Sequence, residues 1–119
     1  MHKGQWKFAV IAAIAAAVIV LAACPPRESI ARINHDPGRF AGQEITLAGR
    51  VTNSFGAMGN GVFEVDDGTG TMWVFTDRFG IPGRDGKVAV TGRIEQGFSF
   101  HGHNYAVVLR ETQRRHDAY

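Results

Sequence analysis

From Ile45 onward, apolar residues fall on every second position, and the pattern is broken mainly by glycine-bearing segments. Ile45, Leu47, Gly49 and Val51 alternate with Thr46, Ala48, Arg50 and Thr52, as expected of a strand with one buried face. The same period marks Val62 to Asp66, where Phe63 and Val65 share a side, and the run Val88, Val90, Gly92 and Ile94. Met72-Trp73-Val74-Phe75 is apolar on both faces, and Tyr105 to Leu109 supplies a fifth run. Asp67-Gly68-Thr69-Gly70 joins the second run to the third. Glycine adopts positive φ without steric cost, so this tetrapeptide reads as a tight hairpin turn. Gly49 and Gly92 lie inside strands, where they mark sharp bends. Five short strands over about 65 residues predict a mainly β domain curled into a small, closed or nearly closed barrel.

Ahead of the strands, Ser29 is placed to cap a brief helix over Ile30 to Asn34, with Ile30 and Ile33 on one face. Asp36-Pro37-Gly38 ends it, and Phe40 is expected as an apolar plug. The connector DRFGIPGRDG between the third and fourth runs is broken by glycine and proline, which predicts no helix there. The tail Glu111 to Tyr119 is polar and expected to fray.

The first residues are of another kind. Lys3 and Lys7 precede an unbroken apolar run from Phe8 to Ala23, a pattern of an export signal or an N-terminal anchor helix. Leu21-Ala22-Ala23-Cys24 resembles a bacterial lipobox, which implies cleavage before Cys24 and attachment of diacylglycerol and a further acyl chain (palmitate or similar) to it. The expected organisation is a signal or anchor over 1–23, a linker over 24–28, the barrel domain over 29–110 and the polar tail over 111–119. Either fate of the N-terminus puts the folded part outside the cytoplasm, held on a membrane on the periplasmic side. Cys24 is the sole cysteine, so no intramolecular disulfide supports the domain. The chain carries a formal charge of +2, yet without Lys3 and Lys7 it has 11 basic residues against 11 acidic ones. A nonspecific nucleic-acid binder ordinarily shows a basic surplus, and none is present.

The segments ITLAGRV, FEVDDGTGTMWVF, KVAVTGRI and YAVVL resemble an OB-fold of the anticodon-binding-like, nucleic-acid-binding type. The resemblance is carried by Gly49-Arg50-Val51, Asp67-Gly68-Thr69-Gly70 and Val90-Thr91-Gly92-Arg93-Ile94, and the lead-in from Ser29 is similar to that of small bacterial envelope lipoproteins. It implies a five-stranded barrel whose ligand surface is the face of strands two and three, flanked by the loops joining strands one to two and four to five. Both loops hold apolar groups where connectors are usually small and polar: Phe55 and Met58 in the first, Phe98, Phe100, His101, His103 and Tyr105 in the second. With Trp73 and Phe75 these form the candidate ligand-binding set, and Arg50 and Arg93 are candidate partners for phosphates or carboxylates. The bland alternative has Phe98 and Phe100 plugging a barrel end and the 29–34 helix covering Trp73 or Phe75.

His101 and His103 point the same way on an extended chain but supply only two of the ligands a stable metal site needs, so no metal is expected. Asp66-Asp67 lacks the alternating oxygens and closing glutamate of a calcium loop. His116-Asp117-Ala118-Tyr119 is similar to the tail of the periplasmic haem chaperone of cytochrome c maturation, with the tyrosine one residue too close. Ser29, Ser54 and Ser99 stand in no nucleophile motif, and no phosphate-binding or dinucleotide glycine loop occurs. The expectation is therefore a non-enzymatic binding module without cofactor, tethered at the cell envelope, whose partner is an envelope protein, a glycan or a single-stranded nucleic acid. A structural subunit of an envelope complex, or a haem or metal carrier, are the alternatives.

Overall fold

The structure, a computed structural model, describes residues 25–57 and 59–116; the 1–23 segment, Cys24 and Met58 lie outside the described residues. Five strands form one sheet that closes on itself: β1 (Glu44–Ala57), β2 (Asn60–Asp66), β3 (Thr71–Thr76), β4 (Lys87–Phe100) and β5 (His103–His116). Their order is β1-β2-β3-β5-β4, with β4 returning to β1. β1 serves both halves of the barrel, since 44–50 pair with β4 and 50–57 with β2. The seam is a short parallel pairing of β3 with β5, running from Trp73 opposite Val108 to Phe75 opposite Arg110. The chain is mainly β, as the alternation predicts.

Alternate residues of each strand point inward and form one buried cluster that includes Leu47, Phe63, Val74, Val90, Ile94 and Leu109. Gly92 permits the β4–β5 approach, because a Cβ there would run into the Arg110 carbonyl and lie 2.6 Å from Leu109 Cδ2.

One end of the barrel is stopped by α1 (Ile30–His35) and the short α2 (Pro37–Phe40), which bury Ile30, Ile33 and Phe40. Ser29 caps α1 as expected, its hydroxyl accepting from the Arg32 N–H at 3.3 Å. The β2–β3 turn adds two more caps: Asp67 Oδ2 accepts from the Ile30 N–H at 2.9 Å and Thr69 Oγ1 from the Ala31 N–H at 3.1 Å. Residues 25–28, expected as a linker, instead lie along the edge of β1. There the Thr46 N–H donates to the Pro26 carbonyl at 2.8 Å and the Glu28 N–H to the Thr46 carbonyl at 3.1 Å.

The β3–β4 connector is irregular, as its glycines and proline predict. It straps the β1–β2 hairpin, with Arg84 donating to the Thr52 carbonyl at 3.1 Å and to Asn53 Oδ1 at 3.0 Å. Ile81 lies against Gly56 and Gly61, where a Cβ would have displaced it.

Two expectations are corrected. Strand pairing extends far into both expected loops, so β1–β2 and β4–β5 are long hairpins, and the β4–β5 turn is only two residues, His101 and Gly102. The polar tail is also strand, at least to His116. The side chain of Glu111 is 0% exposed and that of Arg114 2%, and they form a two-pronged ion pair of 2.8 and 2.6 Å. Residues three apart on a strand normally face opposite ways. Here Thr91 pairs with Gln113 but Gly92 with Glu111, so Thr112 is a bulge that returns Arg114 to the inner side. Its guanidinium lies 4.9 Å from the centroid of the Phe63 ring and donates to the Phe79 carbonyl at 2.9 Å, just past the end of β3 opposite α1. The polarity of the segment signals exposure only until the two charges are matched to each other.

Candidate functional site

The outer face of β2 and β3 holds a second apolar cluster, separate from the barrel core. Val62, Phe75, Phe100 and Val108 are buried in it, with Trp73, Phe98 and Tyr105 half-buried at its margin. Alternation explains the β3 contribution, since Met72 and Val74 point in while Trp73 and Phe75 point out.

Phe55 joins them through a second bulge. Val51 pairs with Val65 and Asn53 with Glu64, so Thr52 is the extra residue. The shift of phase brings Phe55 opposite Val62, which is itself opposite Phe75, and Phe75 is opposite Arg110. One row across the outer sheet thus reads Phe55, Val62, Phe75 and Arg110. Strict alternation from Val51 would have turned Phe55 to the other face.

The β4–β5 hairpin bends over this face at Gly97, whose φ of 71° is readily available only to glycine. Phe98 then packs 4.9 Å from Phe75 (ring centroids), and Phe100 5.6 Å from it. Tyr105 lies 5.5 Å from Trp73, the rings inclined at 52°. Arg110 lies 5.3 Å from Phe75 and 5.4 Å from Phe98, and Glu95 holds it through a 2.8 Å ion pair.

The two hairpin tips meet. The Phe55 ring lies 6.1 Å from Phe100, 6.1 Å from His101 and 5.9 Å from His103, in each case edge to face. Phe55 itself is 45% exposed, whereas Phe100 is 9% exposed. The candidate set therefore divides by burial. Phe75 and Phe100 are packing residues of the second cluster; Phe55, His101 and His103 form an open rim; Trp73, Phe98 and Tyr105 lie between.

Phe98 and Phe100 do not plug a barrel end, because α1 and the Arg114 pair hold the two ends. Nor does α1 cover Phe75, which lies beneath the hairpin. Arg50 stands apart from the aromatic set, whereas Arg93 is opposite Arg110 across β4–β5 and so continues the outer row beyond it. Arg50 donates to the Asp85 carbonyl at 3.1 Å and Arg93 to the Gly42 carbonyl at 3.0 Å. Sequence reasoning missed Val62, Val108 and Arg110. The signal available for Arg110 was its period-two offset from Val108, which puts it on the face where Val108 is paired with Trp73.

Asp66-Asp67 forms a hairpin turn. Asp67 Oδ1 accepts from the Thr69 N–H at 2.8 Å and its hydroxyl at 2.6 Å, and from the Gly70 N–H at 3.2 Å. Burial pushes the Asp67 carboxyl up, but these bonds and the Ile30 N–H outweigh it and hold it below its ordinary range. Burial pushes the Tyr105 phenol up, so it is a protonated donor at neutral pH. Among the described residues no three His, Cys, Asp or Glu side chains gather at one point, and no helix is long and apolar enough to cross a membrane.

No protein-family model matches the chain, and no curated protein matches its sequence. Solved structures do resemble it. OBody AM3L15 bound to hen egg-white lysozyme superposes with a TM-score of 0.53 at 19% identity, over 66% of this chain and 84% of that one. OBody AM2EP06, also bound to hen egg-white lysozyme, gives 0.52 at 17% identity, over 66% and 83%. OBodies are OB-fold scaffolds, and at such identities the likeness is one of fold: the described chain is a five-stranded, closed, OB-fold-like barrel.

Proposed function

We propose that this protein is a non-enzymatic binding module of the cell envelope, held on the membrane by an acylated Cys24 and contacting its ligand through the outer face of β2 and β3. The observation that carries the reading is the meeting of the two hairpin tips, Phe55 against Phe100, His101 and His103, beside a row of aromatic side chains. An exposed aromatic on a braced two-hairpin rim offers apolar area with little left to order on binding. The β2–β3 face and its flanking loops are where OB-folds of many kinds take ligands. The OBodies that resemble it are bound to lysozyme, so a barrel of this form can present a protein-binding surface.

Nucleic acid is disfavoured as the ligand. The mature part carries no basic surplus, and Arg110, the cation beside the aromatic row, is paired with Glu95. The exposed Phe55 favours one second reading, in which the rim is buried in a neighbouring subunit of an envelope complex.

The test is mass spectrometry of the protein purified from native membranes, with and without Phe55→Ser. An acylated Cys24 peptide is expected, together with a co-purifying ligand or partner that Phe55→Ser loses while its melting temperature falls by only about a few degrees. An unmodified Cys24 peptide would overturn the tether. Unchanged capture by the Phe55→Ser protein would overturn the rim.

A further inference from the structure

We infer that the groove between α1 and the start of β5 is a carbohydrate subsite taking a neutral oligosaccharide. The inference rests on the binding-module reading and names its ligand class. The groove has a volume of about 540 Å³, and Asn34, Thr71, Trp73, Asn104 and Tyr105 are among the residues that line it. That volume falls within the roughly 300–1,000 Å³ of small-ligand sites.

Three observations point to a sugar. No charged side chain lines the groove, so a phosphodiester chain or an acidic ligand would meet no cation there. The neighbouring charges do not reverse this: Glu64 stands directly across from Trp73, and Arg110 is held by Glu95.

Secondly, the Trp73 and Tyr105 rings incline at 52° with centroids 5.5 Å apart, an open V rather than a closed stack. The two rings are half-buried, which fixes them while leaving part of each accessible. An aromatic face suits the apolar C–H side of a pyranose ring, and a fixed ring loses little freedom on binding.

Thirdly, the polar groups around the V both donate and accept. Asn34 Nδ2 donates to the Thr71 carbonyl at 3.0 Å, which orients its Oδ1 as a free acceptor. Asn104 Oδ1 is held by the Ser99 hydroxyl at 2.6 Å, which leaves its NH₂ to donate. Among the described residues, neither the Trp73 indole N–H nor the Tyr105 hydroxyl has a hydrogen-bond partner, and neither is a buried orphan. Hydroxyl groups of a sugar serve both kinds of site, whereas a hydrocarbon ligand would leave them unmatched.

The chain has two tryptophans, Trp6 and Trp73, so a Trp6→Phe full-length protein reports on the groove through Trp73 fluorescence. It is titrated, in a detergent without a sugar headgroup, with linear oligosaccharides of glucose, galactose, mannose and N-acetylglucosamine, and with oligothymidylate. At least one neutral sugar is expected to give a saturable change below about 10 mM. Asn104→Ala should weaken it roughly tenfold at an unchanged melting temperature. The affinity should hold between about 50 and 200 mM salt, since no phosphate is neutralised. The inference is overturned if no sugar changes the signal, if Asn104→Ala binds as well as its parent, or if only the oligonucleotide binds. If every sugar fails while Phe55→Ser still abolishes capture of another ligand, the binding module stands and the sugar falls. Failure of both removes the module itself.

Discussion

Removing the carboxylate of Glu111 should do more damage than its place in a polar C-terminal segment suggests. Its side chain and that of Arg114 are 0% and 2% exposed, and the carboxylate accepts two of the guanidinium's bonds, at 2.8 and 2.6 Å. In Glu111→Ala, Arg114 keeps the Phe79 carbonyl at 2.9 Å and the ring of Phe63 at 4.9 Å, but two charged donors lose their acceptor in the barrel interior. Each unsatisfied donor costs about 1–3 kcal/mol, and breaking a buried pair costs about 3–5 kcal/mol in all. We take about 3 kcal/mol, because the Phe79 side of the guanidinium lies near the surface, where water can enter. The measurement is urea unfolding of the Trp6→Phe full-length protein followed by Trp73 fluorescence. With a slope of about 1–2 kcal/mol per molar urea, the midpoint should fall by about 1.5–3 M. Two controls fix the interpretation. Glu95→Ala breaks the exposed pair with Arg110 (46% and 38% exposed) and should cost under about 1 kcal/mol. Glu111→Leu with Arg114→Met replaces both charges by apolar groups and should recover most of the loss. If Glu111→Ala falls within about 1 kcal/mol of Glu95→Ala, the argument for a buried pair fails.

Two further outcomes are expected. Phe100→Ala, at a residue 9% exposed, should cost about 3 kcal/mol by leaving a hole against Phe75, while Phe55→Ser, at a residue 45% exposed, should cost under about 1 kcal/mol; thermal melts of both proteins decide it, and equal losses would refute the division into packing and rim. Asp67 is held below its ordinary range in the folded protein, so its contribution is complete above about pH 5 and is lost as the pH falls through the folded value; unfolding midpoints measured from about pH 6 down to 2 should show a shallower acid decline for Asp67→Asn, and identical slopes would sink the assignment.

The split between what could be read in the chain and what could not follows the range of the interactions involved. Period-two runs, the Asp67-Gly68-Thr69-Gly70 turn, the Ser29 cap and the bend-forming glycines are local choices of backbone geometry and burial, and they determine five strands, a short helix and a mainly β barrel. The apolar side chains in the two expected loops were visible for the same reason, since such groups at a hairpin tip stand out against any polar connector. What they pack against was not visible. The bulge at Thr52 moves Phe55 to the outer face, and only its pairing with β2 reveals the extra residue. The bulge at Thr112 puts Arg114 on the same side as Glu111 and converts two exposed-looking charges into an interior pair. Trp73 faces Tyr105 only after the hairpin has turned at Gly97. Propensity and periodicity carry strand identity; phase across a bulge, and the partner of a buried charge, are decided by strands that meet only when the barrel closes.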